Sequence, residues 1–186
     1  MSIQNNQSYI YCTWSHRKLL PKELNRRFKD LDHFLKQTLS LAKESILIIA
    51  PYLSIEGVKL IKDSLYMSAE RGAWIKIVTG KIEKKLDQNK LALKNLIQGD
   101  RGEIIRSRLR VLVGSRSLSI LLHSKIITVD SKYGYLGSAN ITFHAFERNF
   151  EVGVALLADQ SSSIEDLVAY WESKGMLVDS TSLALS

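Results

Sequence analysis

The sequence predicts one α/β domain, in which a mixed, mostly parallel sheet is flanked by helices on both faces. Two observations indicate this fold class. Continuous apolar runs of strand length alternate along the chain with segments whose apolar residues recur at helical spacing. The 186 residues are also 45% hydrophobic and 24% charged, which is typical of a globular protein. A chain of this length can bury one core without a disulfide or a structural metal.

Short apolar runs predict the strands. The run from Ser45 to Ala50 is apolar at nearly every position and is closed by Pro51, as expected for a strand that is buried on both faces. The five predicted strands cover residues 45–50, 73–79, 109–113, 121–129 and 149–157.

Apolar residues three and four positions apart predict the helices, which cover residues 21–43, 55–70, 86–98 and 164–171. The second of these ends at Arg71-Gly72, a pair typical of a helix C-terminus. We expect the domain to span residues 21–178. Residues 1–20 are then an N-terminal tail or leader segment, and residues 179–186 a C-terminal tail.

Several classes of protein are disfavoured by composition. The single cysteine, Cys12, cannot form an internal disulfide or a cysteine-based zinc site. No apolar run approaches the roughly 20 residues that span a bilayer, and the polar start lacks the apolar segment of a signal peptide. We therefore expect a cytoplasmic protein without a membrane partner.

The charge is positive and uneven. The net charge is +7, but residues 1–150 contain 25 basic and 13 acidic residues, whereas residues 151–186 contain 1 basic and 6 acidic residues. A basic body favours a polyanionic partner such as nucleic acid or an anionic membrane surface, with solubility alone as the other interpretation.

Several of the candidate catalytic side chains belong to one motif. His123, Lys125 and Asp130 form the pattern H-x-K-x4-D on the fourth predicted strand. Side chains at positions i and i+2 of a strand point the same way, so an imidazole and an ammonium group are expected side by side. The apolar residues that follow on this face indicate a site at one end of the strand, at the edge of the sheet.

A second motif, G-S-x-N, follows at Gly137 to Asn140. Glycine lets the backbone approach a ligand closely, and Ser138 and Asn140 add small hydrogen-bonding groups. Together with His123 and Lys125 these residues form a set suited to a phosphate. Lysine and asparagine can hold its non-bridging oxygens, and histidine can attack phosphorus.

These residues resemble the phospholipase D superfamily, whose hallmark is the HKD motif. The similarity extends to residues 46–53, to residues 71–78 and to the acidic segment 149–153, so that about residues 40–175 are covered. The resemblance implies a phospholipase D-type fold and a covalent phosphohistidine at His123. It also implies a reaction that needs no metal and no cofactor.

The resemblance also assigns roles to the other candidate residues. Lys125 and Asn140 would hold the phosphate oxygens, with Ser138 assisting. Glu151 would accept a hydrogen bond from the far nitrogen of His123 and so fix its orientation. Asp130 stays in the candidate set as part of the motif, although its role in the family is mainly structural.

The chain has one complete HKD motif, whereas family phospholipases have two. A complete site needs a second histidine to protonate the leaving oxygen, so the resemblance implies a homodimer with both copies of His123 at one shared site. Single-motif members of the family are typically small endonucleases or restriction-enzyme cleavage domains. The expected substrate is therefore nucleic acid, with DNA favoured over RNA.

Arginines near the motif are candidates for contacts with nucleic acid, because guanidinium groups suit bidentate phosphate contacts. A solvated loop is the alternative interpretation. The candidates are Arg106, Arg108, Arg110, Arg116 and Arg148.

The sequence leaves other functions open. The protein could be a phospholipase or transphosphatidylase, an enzyme acting on a phosphorylated small molecule, or an inactive nucleic-acid-binding subunit. Membership of a larger bacterial restriction or defence complex is also open, because the chain contains no evident recognition domain.

Overall fold

A computed structural model describes residues 10–13, 19–82, 87–115 and 121–186. These residues contain nine strands: β1 (Ile10–Cys12), β2 (Phe28–Asp30), β3 (Ser45–Ala50), β4 (Trp74–Thr79), β5 (Leu109–Gly114), β6 (Ile126–Val129), β7 (Tyr133–Gly137), β8 (Val152–Leu156) and β9 (Leu177–Asp179). They form a single sheet in the order β2-β1-β8-β7-β6-β3-β4-β5-β9.

The helices in this part of the chain are α1 (Lys22–Asn25), α2 (Leu31–Ser40), α3 (Ile55–Glu70), α4 (Gln88–Leu96), α5 (Asp100–Arg106), α6 (Phe143–Glu147), α7 (Ala158–Ser173) and α8 (Thr181–Leu185). Helices α2 to α6 and α8 share one hydrophobic cluster on one face of the sheet. Helix α7 packs on the opposite face through Val168. Helices on both faces are therefore confirmed.

Strand β3 is buried on both faces, as its composition predicts. Ile46 and Ile48 belong to the cluster under α2 to α6, whereas Leu47 and Ile49 belong to the cluster under α7. The predicted strands at 73–79 and 109–113 are confirmed within one residue as β4 and β5, and the helix at 55–70 is confirmed as α3.

The sheet is mixed, but the prediction that it is mostly parallel is wrong. Among the described strands, three pairings are parallel: β1–β2, β3–β4 and β4–β5. The other five are antiparallel. Only three residues connect β6 to β7, and so short a connection can join only antiparallel neighbours.

The predicted helix at 21–43 is interrupted. Helix α1 ends at Asn25, and residues Phe28–Asp30 form β2, which pairs in parallel with β1. Asp30 then begins α2 as an N-cap, because its side chain accepts a hydrogen bond of 2.7 Å from the backbone N–H of His33. Apolar spacing alone does not reveal this cap.

The two predicted tails are also corrected where the structure describes them. Strand β1 lies inside the sheet between β2 and β8, and Cys12 is fully buried. At the other end of the chain, β9 pairs with β5, and Ala184 of α8 is fully buried in the core. These short segments are held by partners far away in sequence, which local periodicity cannot show.

The motif strand is shorter than predicted. Residues 121–125 are not a strand, and β6 begins at Ile126. Strand β6 runs antiparallel to β3, with Ile126 opposite Ile49 and Val129 opposite Ile46. The segment before β6 therefore lies at the edge of the sheet where β3, β4 and β5 end, which we call the carboxyl edge.

Candidate active site

The two motifs meet at the carboxyl edge. His123 and Lys125 precede β6, and the G-S-x-N segment begins at Gly137, the last residue of the neighbouring strand β7. The backbone N–H of Gly137 donates a 3.2 Å hydrogen bond to the carbonyl of Lys125. The hairpin of β6 and β7 thus places both motifs at one end of the same strand pair.

The imidazole and the ammonium group lie side by side, although the backbone here is not a strand. Lys125 Nζ is 3.3 Å from His123 Nδ1 and donates a 2.6 Å hydrogen bond to the His123 carbonyl. The His123 residue is exposed. A cation next to an accessible imidazole suits attack on a phosphate, whose charge the cation offsets.

Asn140 is oriented by the end of β3. Its Oδ1 accepts a 3.4 Å hydrogen bond from the backbone N–H of Tyr52, which leaves the amide NH₂ as the group it can present to an anion. The next residue, Ile141, forms a bridge with Leu53 and packs closely on Gly57. A Cβ at Gly57 would lie 2.3 Å from the Ile141 carbonyl oxygen, so the glycine is required by this contact.

Glu151 is buried, with 7% of its surface exposed, and both of its carboxylate oxygens are in use. One accepts a hydrogen bond from Ser138 Oγ, and the other accepts one of 3.0 Å from Asn149 Nδ2. The expected hydrogen bond to His123 is not formed. Glu151 instead anchors the G-S-x-N segment, because the loop that precedes β8 places its carboxylate under Ser138.

A residue that sequence reasoning missed holds this loop. Thr13, which follows β1, donates a 2.9 Å hydrogen bond from Oγ1 to the carbonyl of Asn149. Its backbone N–H donates to the carbonyl of Glu151 at 3.3 Å. Strand β1 therefore supports the acidic residue of the site, a link that only the long-range pairing of β1 with β8 creates.

Tyr135 explains two glycines of the site. A Cβ at Gly137 would lie 2.1 Å from the Tyr135 hydroxyl oxygen, and one at Gly153 would lie 2.2 Å from its ring. The tyrosine is 1% exposed. Burial, together with the nearby Glu151 charge, raises the pKa of Tyr135 to about 12 against a smaller opposing effect of the Ala139 N–H. The lack of a side chain at Gly137 therefore leaves room for the Tyr135 hydroxyl, in addition to any ligand.

Asp130 is not part of this site. It follows the opposite end of β6, where its carboxylate accepts hydrogen bonds from the backbone N–H groups of Lys43, Glu44 and Ser45. Burial acts to raise the pKa of Asp130, but these hydrogen bonds and the Lys132 charge outweigh it, so the pKa is lowered. A catalytic position for Asp130 is therefore wrong, and its structural role follows from its contacts.

The arginines around β5, which the sequence suggested as nucleic-acid contacts near the motif, lie away from the carboxyl edge. Arg108 precedes β5 and donates a 2.7 Å hydrogen bond to the carbonyl of Gly72, and Arg110 forms ion pairs with Glu172 and Asp179. Five strand residues of about 3.3 Å separate Leu109 from the carboxyl edge, roughly 16 Å in all. Closeness to the motif in sequence does not place these side chains near it.

The other candidate arginines differ in position. Arg106, at the end of α5, is 3.5 Å from Glu103 and also precedes β5. Arg148 ends α6 directly before Asn149, so it lies beside the site, with its guanidinium 5.7 Å from the centre of the Phe143 ring. Arg116 lies outside the described residues.

The sequence of this chain matches a family model described as "Cardiolipin synthase, PLD-like domain" over residues 35–181. That range includes both motifs and every contact of Glu151 named above except those with Thr13. The protein belongs to the PLD-like domain family. Comparison with curated proteins gave no match.

Solved structures show the same fold as this PLD-like domain. Nuc from Salmonella typhimurium, described as a phospholipase D family member, is 19% identical with a TM-score of 0.62, over 93% of this chain and 98% of that one. NucT from Helicobacter pylori is 18% identical with a TM-score of 0.57, over the same shares. The predicted phospholipase D-type fold is confirmed.

A third solved structure is a longer protein. Phosphatidylserine synthase from Haemophilus influenzae Rd KW20 is 14% identical with a TM-score of 0.60, and the match covers 81% of this chain but 37% of that one. Within the described ranges, none of the helices of the PLD-like domain combines the length and apolar character needed to cross a membrane. Nor do three or more His, Cys, Asp or Glu side chains converge there to hold a metal ion.

Proposed function

We propose that this PLD-like protein is a metal-independent phosphodiesterase that cleaves nucleic acid through a phosphohistidine at His123. The observation that supports this most directly is the convergence of the two motifs at one open edge. An exposed imidazole lies beside an ammonium group there, next to an amide held by Tyr52 and a hydroxyl held by Glu151.

In the first step, a neutral His123 nitrogen attacks phosphorus, and the bond from phosphorus to the leaving oxygen breaks. A second acid protonates that oxygen. Water then attacks the phosphohistidine and gives its proton to the second group, which is restored as an acid; the bond between phosphorus and His123 breaks, and the imidazole and the phosphate product are released. Lys125 Nζ and the Asn140 amide stabilise the charge on the non-bridging oxygens, and Glu151 keeps Ser138 in place.

The second acid is proposed to be His123 of another copy of the chain. Each copy has one complete set of motif residues, so a two-fold homodimer with the carboxyl edges facing each other provides two histidines. Large apolar residues are exposed close to the site, which favours such contact: Leu136 is 42% exposed and Phe150 is 59% exposed.

Nucleic acid is favoured over lipid by charge and by size. The excess of basic residues in positions 1–150 suits a polyanion. The match covers 98% of Nuc but only 37% of the phosphatidylserine synthase, so the matched region accounts for nearly all of the smaller relative. The proposed substrate is DNA, and the proposed biological setting is a bacterial restriction or defence system. Because the structure is also similar to that of a phosphatidylserine synthase, lipid is the second candidate substrate.

The test is cleavage of labelled single-stranded DNA, duplex DNA and RNA in excess EDTA. The wild-type protein is expected to cleave, and His123→Ala to lose cleavage by at least about 1000-fold, because the nucleophile is removed. His33→Ala, which changes an exposed histidine on α2, is the matched control and should retain full activity.

Equal cleavage by wild type and His123→Ala would contradict the proposed nucleophile. Cleavage that requires a divalent metal would contradict the metal-independent mechanism. If no nucleic acid is cleaved but phospholipid vesicles are hydrolysed, and His123→Ala abolishes that hydrolysis, the lipid candidate replaces the nuclease.

A further inference from the structure

A pocket of about 460 Å³ adjoins the candidate active site at the carboxyl edge. It lies where β3, β4 and β5 end, the position at which ligands bind to open α/β sheets. Its lining residues are Pro51, Tyr52, Thr79, Gly80, Lys81, Asp87, Gln88, Asn89, Gly114, Leu121 and Leu122.

The pocket is continuous with the phosphate-binding residues. The backbone N–H of Tyr52 contacts Asn140 Oδ1 at 3.4 Å, and Tyr52 is also one of the residues that line the pocket. Two other lining residues, Leu121 and Leu122, lie directly before His123 in the chain. A phosphodiester held by Asn140 and Lys125 therefore has its neighbouring nucleotide at the mouth of this pocket.

The lining suits a flat ring more than a second phosphate. Tyr52 is 60% exposed and Leu121 is 84% exposed, so an aromatic face and an aliphatic face are both accessible. The polar groups are the Lys81 ammonium, the exposed Gln88 amide and the Asp87 carboxylate, which also caps α4 through Oδ1. A carboxylate repels phosphate, whereas amide and carboxylate oxygens can accept hydrogen bonds from the amino groups of bases.

Asn89 does not take part in recognition. Its Oδ1 accepts a 2.8 Å hydrogen bond from Leu53 N–H, and its Nδ2 donates one of 2.9 Å to the Pro51 carbonyl. It therefore fixes the floor of the pocket and the end of β3. A floor held in this way keeps Tyr52 in position, which lowers the entropic cost of stacking a base on it.

We infer that this pocket binds the base of the nucleotide next to the scissile phosphate, with Tyr52 as its stacking platform. This inference rests on the proposed function and specifies its substrate class. The pocket is concave, so the base must be out of the helical stack to enter it, and a paired base must first be flipped at a cost in free energy. The preferred substrate is therefore single-stranded nucleic acid.

The test compares cleavage, in excess EDTA, of three substrates of the same length: a single-stranded oligonucleotide, the same chain without its bases, and the duplex. The pair with and without bases is made with deoxyribose and with ribose. Loss of one aromatic stacking contact typically weakens binding by about tenfold or more, so the intact single strand is expected to be cleaved at least about tenfold more efficiently than either comparison substrate.

Three variants separate stacking from structure. Tyr52→Ala is expected to cleave the intact and the baseless chains equally, because the platform is absent from both reactions. Tyr52→Phe keeps an aromatic ring and should retain the preference for the intact chain. Tyr170→Ala, which removes a 55% exposed tyrosine from α7, is the control and should behave as wild type.

The outcomes distinguish this inference from the proposed function. If wild type cleaves the intact and baseless chains equally, the protein is a nuclease and the base pocket is wrong. If Tyr52→Ala slows cleavage of both chains by the same factor, so that the preference for the intact chain persists, Tyr52 acts through Asn140 and the inference of a base pocket is again wrong. If wild type cleaves none of the substrates, the proposed function fails and the inference fails with it.

Discussion

Asp130 binds three successive backbone N–H groups, those of Lys43, Glu44 and Ser45, at the start of β3. Its own backbone has φ = 53°, a left-handed conformation that asparagine tolerates as well as aspartate. These contacts join the end of β6 that is far from His123 to the start of β3. We therefore interpret this aspartate as a structural clamp between these two central strands.

Asp130→Asn is expected to lower the free energy of unfolding by roughly 1–2 kcal/mol at neutral pH, because a charged acceptor becomes a neutral one. The pKa of Asp130 is lowered in the folded state, so its stabilising effect is complete above the ordinary carboxyl pKa of 3.8 and is lost as the pH falls through the folded value. The difference between wild type and variant should therefore narrow as the pH falls below 3.8, as measured by urea unfolding at a series of pH values.

Asp63→Asn is the matched control for this measurement. Asp63 is a surface residue, with 81% of its side chain exposed and an ion pair to Arg101, and its loss should change stability by less than about 1 kcal/mol. A stability difference for Asp130→Asn that does not change with pH would contradict the clamp. So would a large loss of kcat in the folded variant.

Residue types and spacing predicted the imidazole, ammonium and amide of the site, because the two motifs flank one hairpin. The partner of Glu151 was not predictable, because it depends on the path of the loop before β8. Tyr52 and Lys81 were also missed, although each comes shortly after the end of a predicted strand, β3 or β4. That position was a usable signal, since parallel strands deliver such residues to one edge.

At the scale of elements, β1 is a short strand with a specific task. It pairs with β8 and, through Thr13, holds the loop that contains Asn149 and Glu151. Thr13 is 1% exposed. Replacement of its hydroxyl by a methyl group therefore leaves the Asn149 carbonyl without this partner in a buried place.

Thr13→Val is expected to destabilise the protein by about 1–3 kcal/mol and to lower kcat for phosphodiester cleavage, because the Glu151 loop loses its anchor. Thr13→Ser keeps the hydroxyl and should restore most of both properties. Thermal unfolding and steady-state cleavage on the same preparations check this. Unchanged activity in Thr13→Val would show that β1 does not support the site.

Elements with a strong local pattern were predictable, and elements defined by distant partners were not. Strand β3 is apolar after Ser45, and α3 has a regular apolar stripe followed by Gly72, so both were predicted with their boundaries. Strand β7 contains two glycines and was missed, since its stability comes from β6 and β8 on either side. The same holds for β9, which was assigned in part to a tail.

At the scale of the whole molecule, a site shared between two copies predicts a specific response to mixing. When wild type is mixed with an equal amount of His123→Ala and the subunits exchange, only dimers with two wild-type copies keep both histidines. About one quarter of the activity of wild type at the same total protein concentration should then remain. Mixing with Tyr170→Ala, as the control, should leave activity undiminished.

Independent sites would behave differently. If each copy is active alone, the mixture with His123→Ala retains about one half of the activity, in proportion to the wild-type copies. Light scattering that shows a monomer at all active concentrations would contradict the shared site in the same way. Either result would require the second acid to come from within one chain.

The placement of β1 also has a consequence for biosynthesis. Among the described strands, β1 leaves the ribosome first, yet its neighbour β8 begins 140 residues later, at Val152. Contacts this distant in sequence form late in folding. A nascent chain that already contains His123 and Lys125 therefore lacks an anchored Glu151, so we expect the proposed hydrolytic activity only when translation of the domain is almost finished.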